Sequence, residues 1–134
     1  MSAGLKRDLL IVTCGVSAGI HGALVPEHLR ESVAAGGGFI AATVLLAALV
    51  GALTFVSDPR PAAAAAALTL AGLLVSYGLV VWHGLPVLHP ETEPVDALAL
   101  ATKAIEAAGL LLATSLVGLP HRSAQFPFEE GARA

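Results

Sequence analysis

The chain has 134 residues, of which 56% are hydrophobic and only 13% charged, about half the charge that a soluble domain carries. Its mean hydropathy is +0.81. A water-soluble fold of this composition would display apolar surface on every side, which soluble monomers avoid, so the solvent for most of the chain is expected to be lipid. A net charge of −3 without a Lys/Arg run excludes nucleic acid as a partner. A single cysteine, Cys14, excludes an intramolecular disulfide and a thiolate metal cage.

A membrane-crossing helix needs about 20 mostly apolar residues, and four segments approach or reach that length. The first covers residues 9–24 and ends at Val25-Pro26, where a new helix is expected to begin, since proline suits a first helical position. Lys6-Arg7 ahead of this run also reads as the start of a signal peptide, with small residues for cleavage near Gly22-Ala23. The second covers residues 32–56 and stops at Ser57-Asp58-Pro59-Arg60-Pro61, which no helix crosses intact. Gly36-Gly37-Gly38 near its start predicts a bend or a close crossing. The third covers residues 62–83 and opens with an alanine tract, a strong helix former whose small surface lets neighbours approach. Pro86 and Pro90 then interrupt the chain. The fourth covers residues 95–118, followed by Gly118-Leu119-Pro120 and a polar segment, 121–134, expected to be a flexible cytoplasmic tail. The fold class expected is all-α: a polytopic, antiparallel four-transmembrane-helix bundle forming one membrane domain over residues 1–120.

Basic residues near span ends are retained in the cytoplasm. Lys6, Arg7, Arg60, Arg122 and Arg133 fall on one side and Arg30 on the other, which predicts cytoplasmic N- and C-termini. The low Lys and Asn content and the abundance of Ala, Gly, Leu and Val suggest a GC-rich bacterial genome, and hence a bacterial inner membrane. On the opposite face this topology collects His21, His28, His83 and His89 with Glu27, Glu31, Glu91, Glu93 and Asp96. Imidazole and carboxylate together suit zinc, and imidazole also suits copper, iron or nickel. His21, His28, His83 and His89 are therefore candidate metal ligands, supplemented by Glu27 and Glu31, which share one helix surface with His28. Haem held by His21 and His83 is a competing use, with Tyr77 and Trp82 the nearest rings. Trp82 reads most simply as an interfacial anchor.

Lys103 and Glu106 fall inside the fourth span, where an unpaired charge costs about 2.5–3.5 kcal/mol on insertion scales, so they should face the interior. Their spacing of three permits an ion pair along the helix, and with Asp96 they form one polar stripe. That stripe is either a docking feature or a proton or ion relay ending at Glu106. Thr13, Ser17 and His21 recur every four residues as a polar seam. Thr13 and Ser17 are assigned to helix packing, and His21 alone to chemistry. No nucleophile with its base, phosphate cradle or dinucleotide fingerprint is present, which argues against an ordinary soluble enzyme.

His21 followed by Pro26-Glu27-His28 after the first span, together with Glu93-Pro94-Val95-Asp96, Lys103 and Glu106 at the last, resembles small four-span bacterial membrane proteins rich in alanine and leucine. That resemblance implies four spans and carries no mechanism. The functional expectation is binding or sensing of a metal ion, zinc or copper, on the extracytoplasmic face. The alternatives are a non-catalytic accessory subunit of a larger membrane complex, and b-type haem binding. The partners expected are the lipid bilayer and either a membrane-protein partner or further copies of the chain.

Overall fold

The computed structural model describes residues 1–83 and 95–118. Four helices follow one another: α1 (Ala3–Glu31), α2 (Val33–Phe55), α3 (Arg60–His83) and α4 (Ala97–Val117). All four are long and apolar enough to cross a membrane, and the described residues contain no strand. The expected multi-pass, all-helical architecture is what the chain adopts. Large apolar side chains point outward, with Val12, Val44, Phe55, Leu68, Val75 and Leu111 all exposed. In water such a surface would aggregate, whereas in hydrocarbon it is the solvated face.

The helices differ most from expectation at α1, which begins at Ala3 rather than near residue 9 and does not stop at Pro26. Pro26 does not start a new helix but lies within α1, which continues to Glu31. Proline deprives the Gly22 carbonyl of its i+4 donor, yet membrane helices tolerate that loss where neighbouring groups compensate. With 29 residues α1 is about 44 Å long, well beyond a hydrocarbon core of about 30 Å. Its last turns, carrying Glu27, His28 and Glu31, therefore stand at or above the lipid boundary when its start is embedded.

Ser32 makes the α1–α2 turn by itself. Its extended backbone breaks the helix, its N–H donates to His28 O, and its hydroxyl accepts from Ala35 N at 2.9 Å, capping α2. Such a short link forces α1 and α2 to lie side by side. Gly36 makes the close crossing: a Cβ there would overlap the Leu29 side chain. At the opposite end Arg7 donates to the Leu53, Thr54 and Val56 carbonyls at 2.6, 2.7 and 3.3 Å. These are carbonyls that the end of α2 leaves without helical donors. The pair is thus held by a serine hinge at one end and an arginine clamp at the other.

α4 packs on α1 and α3, while α2 and α3 touch little. The alanine tract contributes Ala62, Ala63 and Ala66 to the core beside Leu10, Cys14, Leu70, Ala113 and Leu116. Below the middle of the bundle, toward the Arg7 end, this interior is apolar except for Thr13, whose hydroxyl donates to Leu9 O at 2.8 Å. Gly109 marks the tightest approach of α4, because a Cβ there would stand 2.5 Å from Thr13 Cγ2 and 3.0 Å from Leu70 Cδ1. Asp96 starts α4 as its N-cap, accepting from Ala99 N at 2.6 Å.

Candidate functional site

Glu106 sits midway along α4 and is completely buried. A carboxylate at that depth must be satisfied by the protein, and three side chains surround it. Lys103, one turn earlier, donates its ammonium to Oε2 at 2.7 Å. Ser17 of α1 donates its hydroxyl to Oε1 at 2.9 Å. His21, one turn further along α1, brings Nε2 to 3.8 Å from the same oxygen. The Lys103 ammonium also lies over the Tyr77 ring of α3, 5.2 Å from its centroid, a favourable cation–π position.

The hydrogen bonds fix the state of the His21 ring. Nδ1 is 2.9 Å from the Ser17 carbonyl oxygen, which can only accept, so Nδ1 carries a proton. The Ser17 hydroxyl has turned its own proton to Glu106, leaving a lone pair toward Nδ1 at 3.4 Å. Nε2 then has two states: a bare lone pair facing a carboxylate, or an N–H that completes an imidazolium–carboxylate pair. At 3.8 Å the separation is an ion-pair contact rather than a hydrogen bond. One proton decides whether this gap is repulsive or attractive.

His21 and Lys103 also line a cavity of about 140 Å³ at the end of the bundle away from Met1. Glu27, His28 and Glu31 of α1 and Asp96 of α4 line its outer part, and Phe39 and Tyr77 supply aromatic walls. The His28 ring stacks on Phe39 with centroids 3.7 Å apart, and the His21 ring is tilted against the same Phe39 with centroids 5.4 Å apart. His28 Nδ1 is 3.0 Å from Leu24 O, so this imidazole, like His21, is pinned by the carbonyl one turn before it. Toward the Arg7 end the buried Leu10, Cys14, Leu70, Ala113 and Leu116 close the interior. The cavity opens at one end of the bundle and stops at the charged centre.

His21, His28, Glu27 and Glu31 are thus brought to one cavity, with Asp96 and Lys103. They are not gathered into a ligand sphere. His21 and His28 are seven residues apart on a continuous helix, about 10 Å along its axis, and each ring is held by its own backbone carbonyl. Among the described residues no group of three His, Cys, Asp or Glu side chains is close enough to hold a metal ion. His83, the second residue of the haem expectation, is exposed at the end of α3. His89, Glu91 and Glu93 lie outside the described residues.

Ser17 and Phe39 are not candidate site residues in the sequence, and Tyr77 figures there only as a ring near a haem. Ser17, assigned to packing, is buried and bound to Glu106. Its signal was the four-residue spacing to His21. Phe39 shares α2 with one other ring, Phe55, and Tyr77 shares α3 with Trp82, so neither is distinguished by its type. Comparison with known proteins adds nothing to this geometry: no protein-family model, curated protein or solved structure matches the chain.

Proposed function

We propose that the protein is a proton-binding membrane element that takes up one proton in the gap between His21 Nε2 and Glu106, through a cavity reached from the extracytoplasmic side. The observation that supports this reading is the donation of His21 Nδ1 to the Ser17 carbonyl, which leaves Nε2, beside a buried carboxylate, as the ring nitrogen that gains or loses a proton. A proton arriving from the cavity converts that opposition into an ion pair. The groups facing the gap are Ser17 and, further out, His28, Glu27 and Glu31 from α1. α2 brings only the uncharged Phe39 ring, α3 brings Tyr77, and α4 brings Lys103 and Asp96.

Because the described interior beyond Glu106 is apolar apart from Thr13, whose hydroxyl is bound to Leu9 O, a proton bound there has no onward path among the described residues. The role that fits is sensing or coupling, as an accessory element or in an assembly of copies, in a bacterial inner membrane with both termini cytoplasmic. Lys6, Arg7 and Arg60 at the end opposite the cavity support that orientation under the positive-inside rule.

A second reading keeps a metal ion, zinc or copper, as the species sensed. It is favoured by His21, Glu27, His28 and Glu31 sharing one cavity, and it requires ligands to move together on binding. The two readings separate in one experiment. Protein in lipid nanodiscs, acidified from about pH 8 to about pH 5 and followed by infrared difference spectroscopy and proton-uptake titration, should take up a proton in a step coupled to the Glu106 carboxylate band. Glu106→Gln should abolish that coupled step. Uptake that is identical in Glu106→Gln, or that appears only with zinc or copper present, overturns the proton reading.

A further inference from the structure

We infer that the same cavity is a receptor site for a small primary ammonium compound, whose N–H donates to His21 Nε2. The inference rests on the tautomer of His21 that the proposed proton site uses, and goes beyond it by naming a ligand class. Four observations carry it.

His21 is 6% exposed, lines the cavity, and makes no hydrogen bond at Nε2 among the described residues, approaching only Glu106 at 3.8 Å. In the neutral ring Nε2 is a nearly buried acceptor without a donor, which is costly to leave so, and an N–H brought by a guest satisfies it. The cavity walls bear the second mark. Phe39 and Tyr77 with the two imidazoles offer ring faces, and Glu27 and Asp96 add negative charge, a combination that suits organic ammonium ions.

The third observation is the way the protein holds its own ammonium group. Lys103 Nζ is set between the Glu106 carboxylate at 2.7 Å and the Tyr77 ring at 5.2 Å, on the cavity wall. The chain already solvates one R–NH₃⁺ by the chemistry proposed for the guest. Lys103 and Glu106 neutralise each other, so the exposed Glu27 and Asp96 leave the outer cavity attractive to cations. The fourth is size and polarity. A volume of about 140 Å³ is close to that of cavities that admit a benzene-sized guest, and Ile20, Leu24 and Leu98 line it beside the polar groups. An alkyl chain of about four carbons fits against that apolar side, with the ammonium toward His21.

The guest enters as R–NH₃⁺ and no bond is made or broken. If a proton already fills the gap at His21, that proton leaves to bulk water as the guest binds, because Nε2 can accept only one N–H.

The test is calorimetric binding of n-butylammonium to the full chain in zwitterionic lipid nanodiscs, in two buffers of different protonation enthalpy, with tetramethylammonium and butan-1-ol as comparators. Saturable binding of n-butylammonium is expected, at least about tenfold tighter than either comparator. One lacks the N–H and the other the charge. In Glu27→Gln/Asp96→Asn, both exposed positions at which the isosteric amides preserve the fold, affinity should fall about tenfold. In His21→Phe the preference over tetramethylammonium should vanish. Equal binding of n-butylammonium and tetramethylammonium, or no binding of n-butylammonium, overturns the inference. A coupled proton uptake that persists in the same sample leaves the proton site intact, so the two failures are distinguishable.

Discussion

Glu106→Ala is expected to destabilise the bundle by about 3–5 kcal/mol, the cost of removing one partner from a buried ion pair. The loss arises from what remains. Lys103, with its side chain only 17% exposed, would keep its charge and lose its nearest anion, and Ser17 would lose the acceptor of its hydroxyl. Lys103→Met/Glu106→Leu removes both charges while keeping volume, and buried pairs replaced in this way are often neutral or stabilising. Unfolding in mixed micelles should therefore rank the double variant near the native chain and Glu106→Ala far below it. Equal destabilisation in both would mean that the pair is needed for the bundle to form at all, and that the charged centre is primarily a docking device.

The second large effect is expected at Gly109. A single Cβ there meets Thr13 Cγ2 at 2.5 Å and Leu70 Cδ1 at 3.0 Å. The leucine tip can shift, but Thr13 is β-branched and held by its own hydroxyl bond to Leu9 O, so its methyl has nowhere easy to go. Gly109→Val should cost about 3 kcal/mol, at the upper end of overpacking penalties. By forcing α1 away from α4 it should also lengthen the Ser17–Glu106 bond one turn above and weaken proton uptake. Thr13→Ser/Gly109→Ala removes the blocking methyl and keeps the hydroxyl. Its recovery of both stability and uptake, in the same unfolding and titration assays, would assign the effect to this crossing. Failure to recover would place the cause elsewhere.

Much of the fold was legible because lipid simplifies the problem: every backbone group must be satisfied within its own segment, so long apolar runs become helices. Segments 32–56 and 62–83 differ from α2 and α3 by at most two residues at an end. Pro26 misled because the rule that proline starts or stops helices comes from water, where the freed carbonyl turns to solvent. In α1 the helix simply passes through, and that brings Glu27, His28 and Glu31 to the cavity that His21 lines.

The charged centre was half legible. Lys103 and Glu106 are three apart on one helix, so their pairing follows from geometry along the chain. The bond that joins them to α1 spans 89 positions and depends on how α1 and α4 are rotated. The gathering of His83 with His21 rested on both being near the same ends of their spans, which sets height but not azimuth. His83 is exposed at the end of α3 while His21 is buried. Rotation about a helix axis is decided by small residues such as Gly109 and Ala63, whose meaning appears only when their neighbours are known.

The most direct measurement of the proton site is the ¹⁵N NMR spectrum of His21 in lipid bilayers, with His28, His83, His89 and His121 replaced in turn for assignment. The account predicts an Nδ1–H, Nε2-unprotonated ring near pH 8 that becomes an imidazolium as the cavity side is acidified toward about pH 5. A ring protonated at Nε2 and bare at Nδ1, or one unchanged across that range, would contradict it.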